Sequence, residues 1–169
     1  MSGGSRARGG SRLAGLVMAA AVAAFVPHTA NADLCEAHAP ERMLVVEAVD
    51  GGRVVHREPV RPGDRLTLSW VHSSENVPVH GRFAIEADGS LRVEETAYGG
   101  FGPGLPAPQP GDAWEYRDGM IVTAGGASLP ELRLRVSPIA RQRLTLPSGR
   151  EVDLPGLVPG GAAIRIGVR

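Results

Sequence analysis

The chain has 169 residues, eighteen arginines against eighteen acids, and no lysine. Balanced charge without a basic stripe argues against a nucleic-acid partner. The single cysteine, Cys35, excludes an internal disulfide, and with only two Trp, two Tyr and three Phe any core must be built from Val, Leu and Ile.

The first thirty-two residues read as a secretory signal rather than as part of a fold. Arg6, Arg8 and Arg12 precede an apolar run from Leu13 to Val26, Pro27 ends that run, and Ala30-Asn31-Ala32 offers small residues for cleavage before Asp33. Fourteen apolar residues fall short of the roughly 20 that span a bilayer, so export to the periplasm is expected over an uncleaved anchor. Leu34 stands before Cys35 where a lipoprotein signal requires a small residue. Cleavage removes three arginines and no acid, leaving a net charge of −3. Residues 33–42 are expected to be a flexible segment on which Cys35 is a free thiol; pairing with another chain is the alternative. A single domain is expected over 43–169.

Beyond that segment the apolar period is two. Met43 to Val49 and Arg53 to Glu58 read as a hairpin around Asp50-Gly51-Gly52, since glycine reaches the positive φ that tight turns require. The turn Arg61 to Asp64 leads into a strand over 65–71, where Leu66, Leu68 and Trp70 alternate with polar residues. Gly81 to Ala87 and Leu91 to Ala97 flank Asp88-Gly89. Residues 99–112 are rich in glycine and proline and should hold no strand. Phe101 and Leu105 within them read as apolar anchors of a structured loop. Ala113 to Arg117 and Met120 to Ala124 flank Asp118-Gly119, another hairpin signal. A strand follows at Leu132, Leu134 and Val136, then a hairpin of 141–146 with 151–154, then a closing strand over 163–168. No stretch sustains helical periodicity. The expectation is an all-β fold, an antiparallel β-sandwich or open barrel of nine or ten short strands. Its core should include Leu66, Leu68, Trp70, Leu132, Leu134, Val136 and Ile164.

The segment Ser69 to Val79 begins as a strand and becomes a polar turn. His72, Ser73, Ser74, Glu75 and Asn76 can donate, accept or bind, and Pro78 closes the turn while holding Val77 extended. Three chemistries compete for these residues. His72, Glu75 and His80 fall within nine residues, and His56 approaches them if its strand neighbours 65–71, but the spacing matches no defined zinc pattern. His72 beside Ser73 suggests nucleophilic hydrolysis, yet adjacent strand residues point to opposite faces and no G-x-S-x-G elbow is present. In the plainer reading these side chains hydrogen-bond the turn and each other. Neither a metal nor a cofactor is expected.

The stretch Trp70 to Val79, followed by Phe101-Gly102-Pro103-Gly104-Leu105-Pro106, resembles the bacterial domain-of-unknown-function family numbered 1850. The resemblance spans about residues 43 to 146. His72, Ser73, Glu75, Pro78 and Val79 match its first motif, and Phe101, Gly102, Gly104, Leu105 and Pro106 its second. Ser74 stands where valine is usual, Val77 where threonine is usual, Gly81 where many members carry glutamate, and Pro103 where alanine is usual. Members are exported or membrane-anchored and their genes usually neighbour those of TAXI-subclass TRAP transporters, carriers of organic anions. The resemblance thus implies an accessory that binds the solute-binding protein, the permease or a small organic anion, and it supplies no reaction. The rival is a small hydrolase or metal-binding protein using His72, Ser73 and Glu75. The Phe101–Pro106 loop is expected to pack over the His72–Pro78 turn and form one site with it.

Overall fold

A computed structural model describes residues 42–169; the expected signal, most of the N-terminal segment and Cys35 lie outside the described residues. The described residues run through twelve strands: β1 (Arg42–Ala48), β2 (Arg53–Val60), β3 (Arg65–His72), β4 (Val77–Ile85), β5 (Leu91–Tyr98), β6 (Trp114–Arg117), β7 (Met120–Ala124), β8 (Ser128–Leu129), β9 (Glu131–Arg135), β10 (Arg143–Thr145), β11 (Glu151–Asp153) and β12 (Ala163–Val168). One helical turn, α1 (Leu154–Leu157), follows β11. Among the described residues no helix is long and apolar enough to cross a membrane.

The strands form two antiparallel sheets, and neither closes into a barrel. One is ordered β2-β1-β12-β9; the other is ordered β11-β10-β3-β4-β5-β7-β6, with β8 pairing β5. Leu44, Val46, Ile164 and Ile166 of the first sheet share one hydrophobic cluster with Leu66, Leu68, Phe83, Leu91 and Leu144 of the second. An apolar face on each sheet meeting in one core is the sandwich arrangement. Of the expected core, Leu66, Leu68, Leu132, Val136 and Ile164 are buried. Trp70 and Leu134 are only half-buried, packed on the rim of that cluster.

The turns lie where glycine predicted them. Asp118 and Gly119 have φ of 52° and 78°, the left-handed pair of a two-residue hairpin, and the register sets Arg117 against Met120. Two details depart from the sequence reading. β4 starts at Val77 rather than Gly81, so Pro78 sits inside a central strand opposite Val71. Proline is tolerated there because the Val71 amide donates to the Ala140 carbonyl instead, so no ladder bond to β3 is lost. The two-residue β8 carried no apolar signal of its own. It pairs with β5 where the Val93 amide donates to the Ala127 carbonyl, and Gly125 just before it lies so close to the Val93 carbonyl that no Cβ would fit.

Candidate functional site

The register of β3 and β4 decides which polar side chains meet. Trp70 opposes Val79 and His72 opposes Val77 on the core-facing side, whereas Ser69 opposes His80 on the other. His72 and His80 therefore leave opposite faces of the sheet, and His80 Nδ1 is occupied by Ser69 Oγ at 2.8 Å. His56 lies on β2 in the four-stranded sheet, not beside β3. Among the described residues no group of three or more His, Cys, Asp or Glu side chains converges as a metal site would need.

His72 instead joins the turn to the distant loop. Its Nε2–H donates to the Pro103 carbonyl at 2.9 Å. In the neutral ring this leaves Nδ1 to accept from the Ser74 hydroxyl at 3.1 Å. The Asn76 amide closes the turn on the His72 carbonyl at 2.7 Å, with Asn76 at φ 53°, a conformation asparagine tolerates. The hydroxyl on the imidazole is thus Ser74, not Ser73; residue 73 is exposed one position earlier, where the turn carries it away.

The glycine and proline loop, residues 99–113, lies on the turn as expected. Gly102 abuts the aliphatic part of Glu75, leaving no room for a Cβ, and Gly100 lies over Val77. The Gly99 amide donates to the Pro78 carbonyl at 3.0 Å, and a Cβ at 99 would meet Pro78 Cδ at 2.9 Å. Within the loop the Leu105 amide donates to the Gly102 carbonyl, and Gly104 takes the positive φ that this turn requires. Gln109 and Asp112 hold each other in a second turn, the Gln109 amide donating to Asp112 Oδ2 and the Asp112 amide to the Gln109 carbonyl.

Beneath the loop sits a second, smaller hydrophobic cluster of Val79, Tyr98 and Ile121, against which Trp70 and Leu105 pack. These come from neighbouring strands in one row, since Trp70 opposes Val79, Val79 opposes Tyr98 and Tyr98 opposes Ile121. Leu105 is the anchor foreseen from the sequence. Phe101 is not: it is 63% exposed and meets only the edge of the Tyr98 ring, with centroids 6.4 Å apart. The Tyr98 hydroxyl is buried without a hydrogen-bond partner among the described residues, and burial pushes its pKa above the ordinary phenol value.

Of the residues singled out from the sequence, the structure brings His72, Glu75, Pro78, Gly102 and Leu105 into contacts between turn and loop, while Ser73, Phe101, Gly104 and Pro106 are exposed around them. Sequence reasoning counted Ser74 among the hydrogen-bonding residues of the turn but not among the site residues, and it missed the Pro103 carbonyl and Tyr98. Alternation from Leu91 and Val93 would put Tyr98 on the other face; a bulge opposite Arg82 and Phe83 shifts the register and turns Tyr98 inward, and nothing in residue type marks a carbonyl. At Gly81, where glutamate is common in the resembling family, a Cβ would meet the Phe83 ring at 3.1 Å and 3.2 Å. Phe83 and Trp70 close the room that a longer side chain would need.

The family model for the domain of unknown function DUF1850 matches residues 66–154, more than half of the chain and all of the turn and loop just described. The chain belongs to this family. No curated protein and no solved structure matches it. For this DUF1850 protein, then, the site must be argued from its own geometry.

Proposed function

We propose that this DUF1850 protein is an exported, periplasmic accessory of a TAXI-type TRAP transporter. It acts by contact, using the surface formed by His72, Ser73, Glu75, Pro78 and the loop from Phe101 to Pro106. The partner is the solute-binding protein or the permease, and a small organic anion is the ligand class the transporter would carry. The observation that carries the reading is the interlock of the two family motifs. The His72 imidazole bonds Ser74 and the Pro103 carbonyl, so its role is to hold two stretches as one surface, with Phe101 63% exposed upon it. An exposed aromatic on a preorganised loop is the residue type that anchors protein contacts. The basic, apolar and small-residue order of residues 1–32 supports export.

Crosslinked pull-down of the tagged protein from native envelope extract tests this. Recovery of a transporter component, reduced by His72→Ala and by Phe101→Ala, is expected. Repeated recovery without any transporter component would sink the proposal.

A second reading rests on one specific geometry. Ser74 donates to His72 Nδ1 while Nε2–H is oriented by a carbonyl, the order of nucleophile, base and orienting group found in hydrolases. In that reading Ser74 is the nucleophile and His72 the general base. Labelling by an alkyl fluorophosphonate, abolished by Ser74→Ala and by His72→Ala, would favour it; an unlabelled wild-type protein would remove it.

A further inference from the structure

The eight-stranded sheet ends on β6, whose four residues are all exposed. The two-residue turn fixes which of its backbone groups are used. Arg117 opposes Met120 and Glu115 opposes Val122, and the Ala124 amide donates to the Ala113 carbonyl at 3.2 Å. Bonded pairs alternate along an antiparallel ladder, so Trp114 and Tyr116 direct their N–H and C=O groups away from β7. Their side chains are also open, Trp114 at 52% and Tyr116 at 72% exposure.

The other edges are guarded. β2 carries Pro59 with Arg53, Arg57 and Glu58; β9 alternates Glu131, Arg133 and Arg135; β11 is three residues long with two exposed acids. Proline, alternating charge and shortness are the devices that discourage edge pairing. Trp114-Glu115-Tyr116-Arg117 lacks proline; its one acid and one base are paired with each other at 3.3 Å, and they alternate with two exposed aromatics rather than with leucines of the core.

We propose that β6 is the docking edge for a second copy of this chain, joined antiparallel about a twofold axis into a continuous sheet. Charge chooses the register. With Tyr116 opposite Tyr116 of the second copy, the outward N–H and C=O groups of the two tyrosines bond each other. Each Glu115 then faces Arg117 of the other copy, adding two opposite-charge pairs to the contacts Arg117 already makes with Glu95 at 2.7 Å and Glu115 at 3.3 Å within its own chain. Sliding the second strand so that Trp114 faces Tyr116 would set Glu115 against Glu115, and like charges directly opposite are destabilising. The edge lies on the same sheet as the turn and loop, yet the inference is independent of any transporter contact.

Sedimentation velocity of the purified protein over a micromolar to millimolar series reads this directly. Concentration-dependent dimer is expected for the wild type. Tyr116→Pro removes an outward N–H and leaves the β7 ladder untouched, so it should give monomer with an unchanged circular dichroism spectrum. Glu115→Arg and Arg117→Glu should each weaken the dimer roughly tenfold, since both symmetry-related pairs become like-charged. Mixing those two variants restores both pairs as a heterodimer and should recover wild-type association. A chain that stays monomeric throughout, or a dimer indifferent to these substitutions, overturns the proposal.

Discussion

The large cluster between the sheets and the small one under the glycine and proline loop share the same strands but are closed by different material. β3 and β4 contribute Leu66, Leu68 and Phe83 to the first and Val79 to the second, while Trp70 packs against both. The first is covered by a sheet whose own ladder holds it in place. The second is covered by residues 99–113, which are held by Leu105, the His72–Pro103 and Gly99–Pro78 bonds, the packing of Gly102 on Glu75 and, at the far end, the Ala124–Ala113 bond. Local stability follows from such differences in buried apolar contact, so the loop should open without the sandwich unfolding. The surface proposed to meet a partner is thereby mounted on a stable frame without sharing its full stability.

Substitutions should separate the two regions. Ile166→Ala empties a fully buried position of the main cluster and is expected to destabilise the whole chain by about 2–5 kcal/mol in urea unfolding. A loss confined to the loop amides would contradict a single sandwich core. Tyr98→Phe deletes a buried hydroxyl that has no partner among the described residues, so it should raise global stability by about 1 kcal/mol, with the loop still closed. Destabilisation by this change would mean the hydroxyl has a partner in solution. Leu105→Ala removes a half-buried anchor worth about 1 kcal/mol. Its effect should be local: faster amide exchange over 99–112 and red-shifted emission from Trp70, with an unchanged global midpoint.

The smallest effect is electrostatic and belongs to the sandwich. The Arg165 guanidinium bonds both oxygens of Glu47, at 3.0 Å and 2.6 Å, and holds its carboxyl below the ordinary 4.5. Arg133, with Arg169, does the same for Glu131, and Arg65 for Glu94. A folded pKa below the unfolded one means the unfolded chain binds protons first as pH falls. These contributions are therefore complete above about pH 4.5 and decline below it, through the folded values. Exposed arginine partners keep each contribution small. Acid titration should lower the unfolding midpoint below pH 4.5 and little above it. Arg165→Leu should flatten that dependence, and an unaltered slope would show the pair to be without effect.

The strands and turns were legible in the sequence because their determinants are local. Alternation at Leu66, Leu68 and Trp70, and the glycines at 51, 89, 119 and 149, act within a few residues. The motif spacing likewise pointed to His72, Glu75 and the Phe101–Pro106 loop as one surface. Sheet membership was not legible, because a strand's pattern states that a partner exists and not which. That β10 pairs β3, that β12 lies between β1 and β9, and that His56 therefore sits far from β3 in the sheet order follow from long-range packing. The same packing set Pro78 within a central strand, where its pair with Val71 is a non-hydrogen-bonded one and its carbonyl faces Gly99 at the end of β5, so its missing N–H breaks no bond to β3. It also chose Ser74 over Ser73 for the imidazole and left Phe101 outside. Residue type told what each side chain could bond; register and loop closure, which balance burial against chain entropy over distant segments, decided what it did bond.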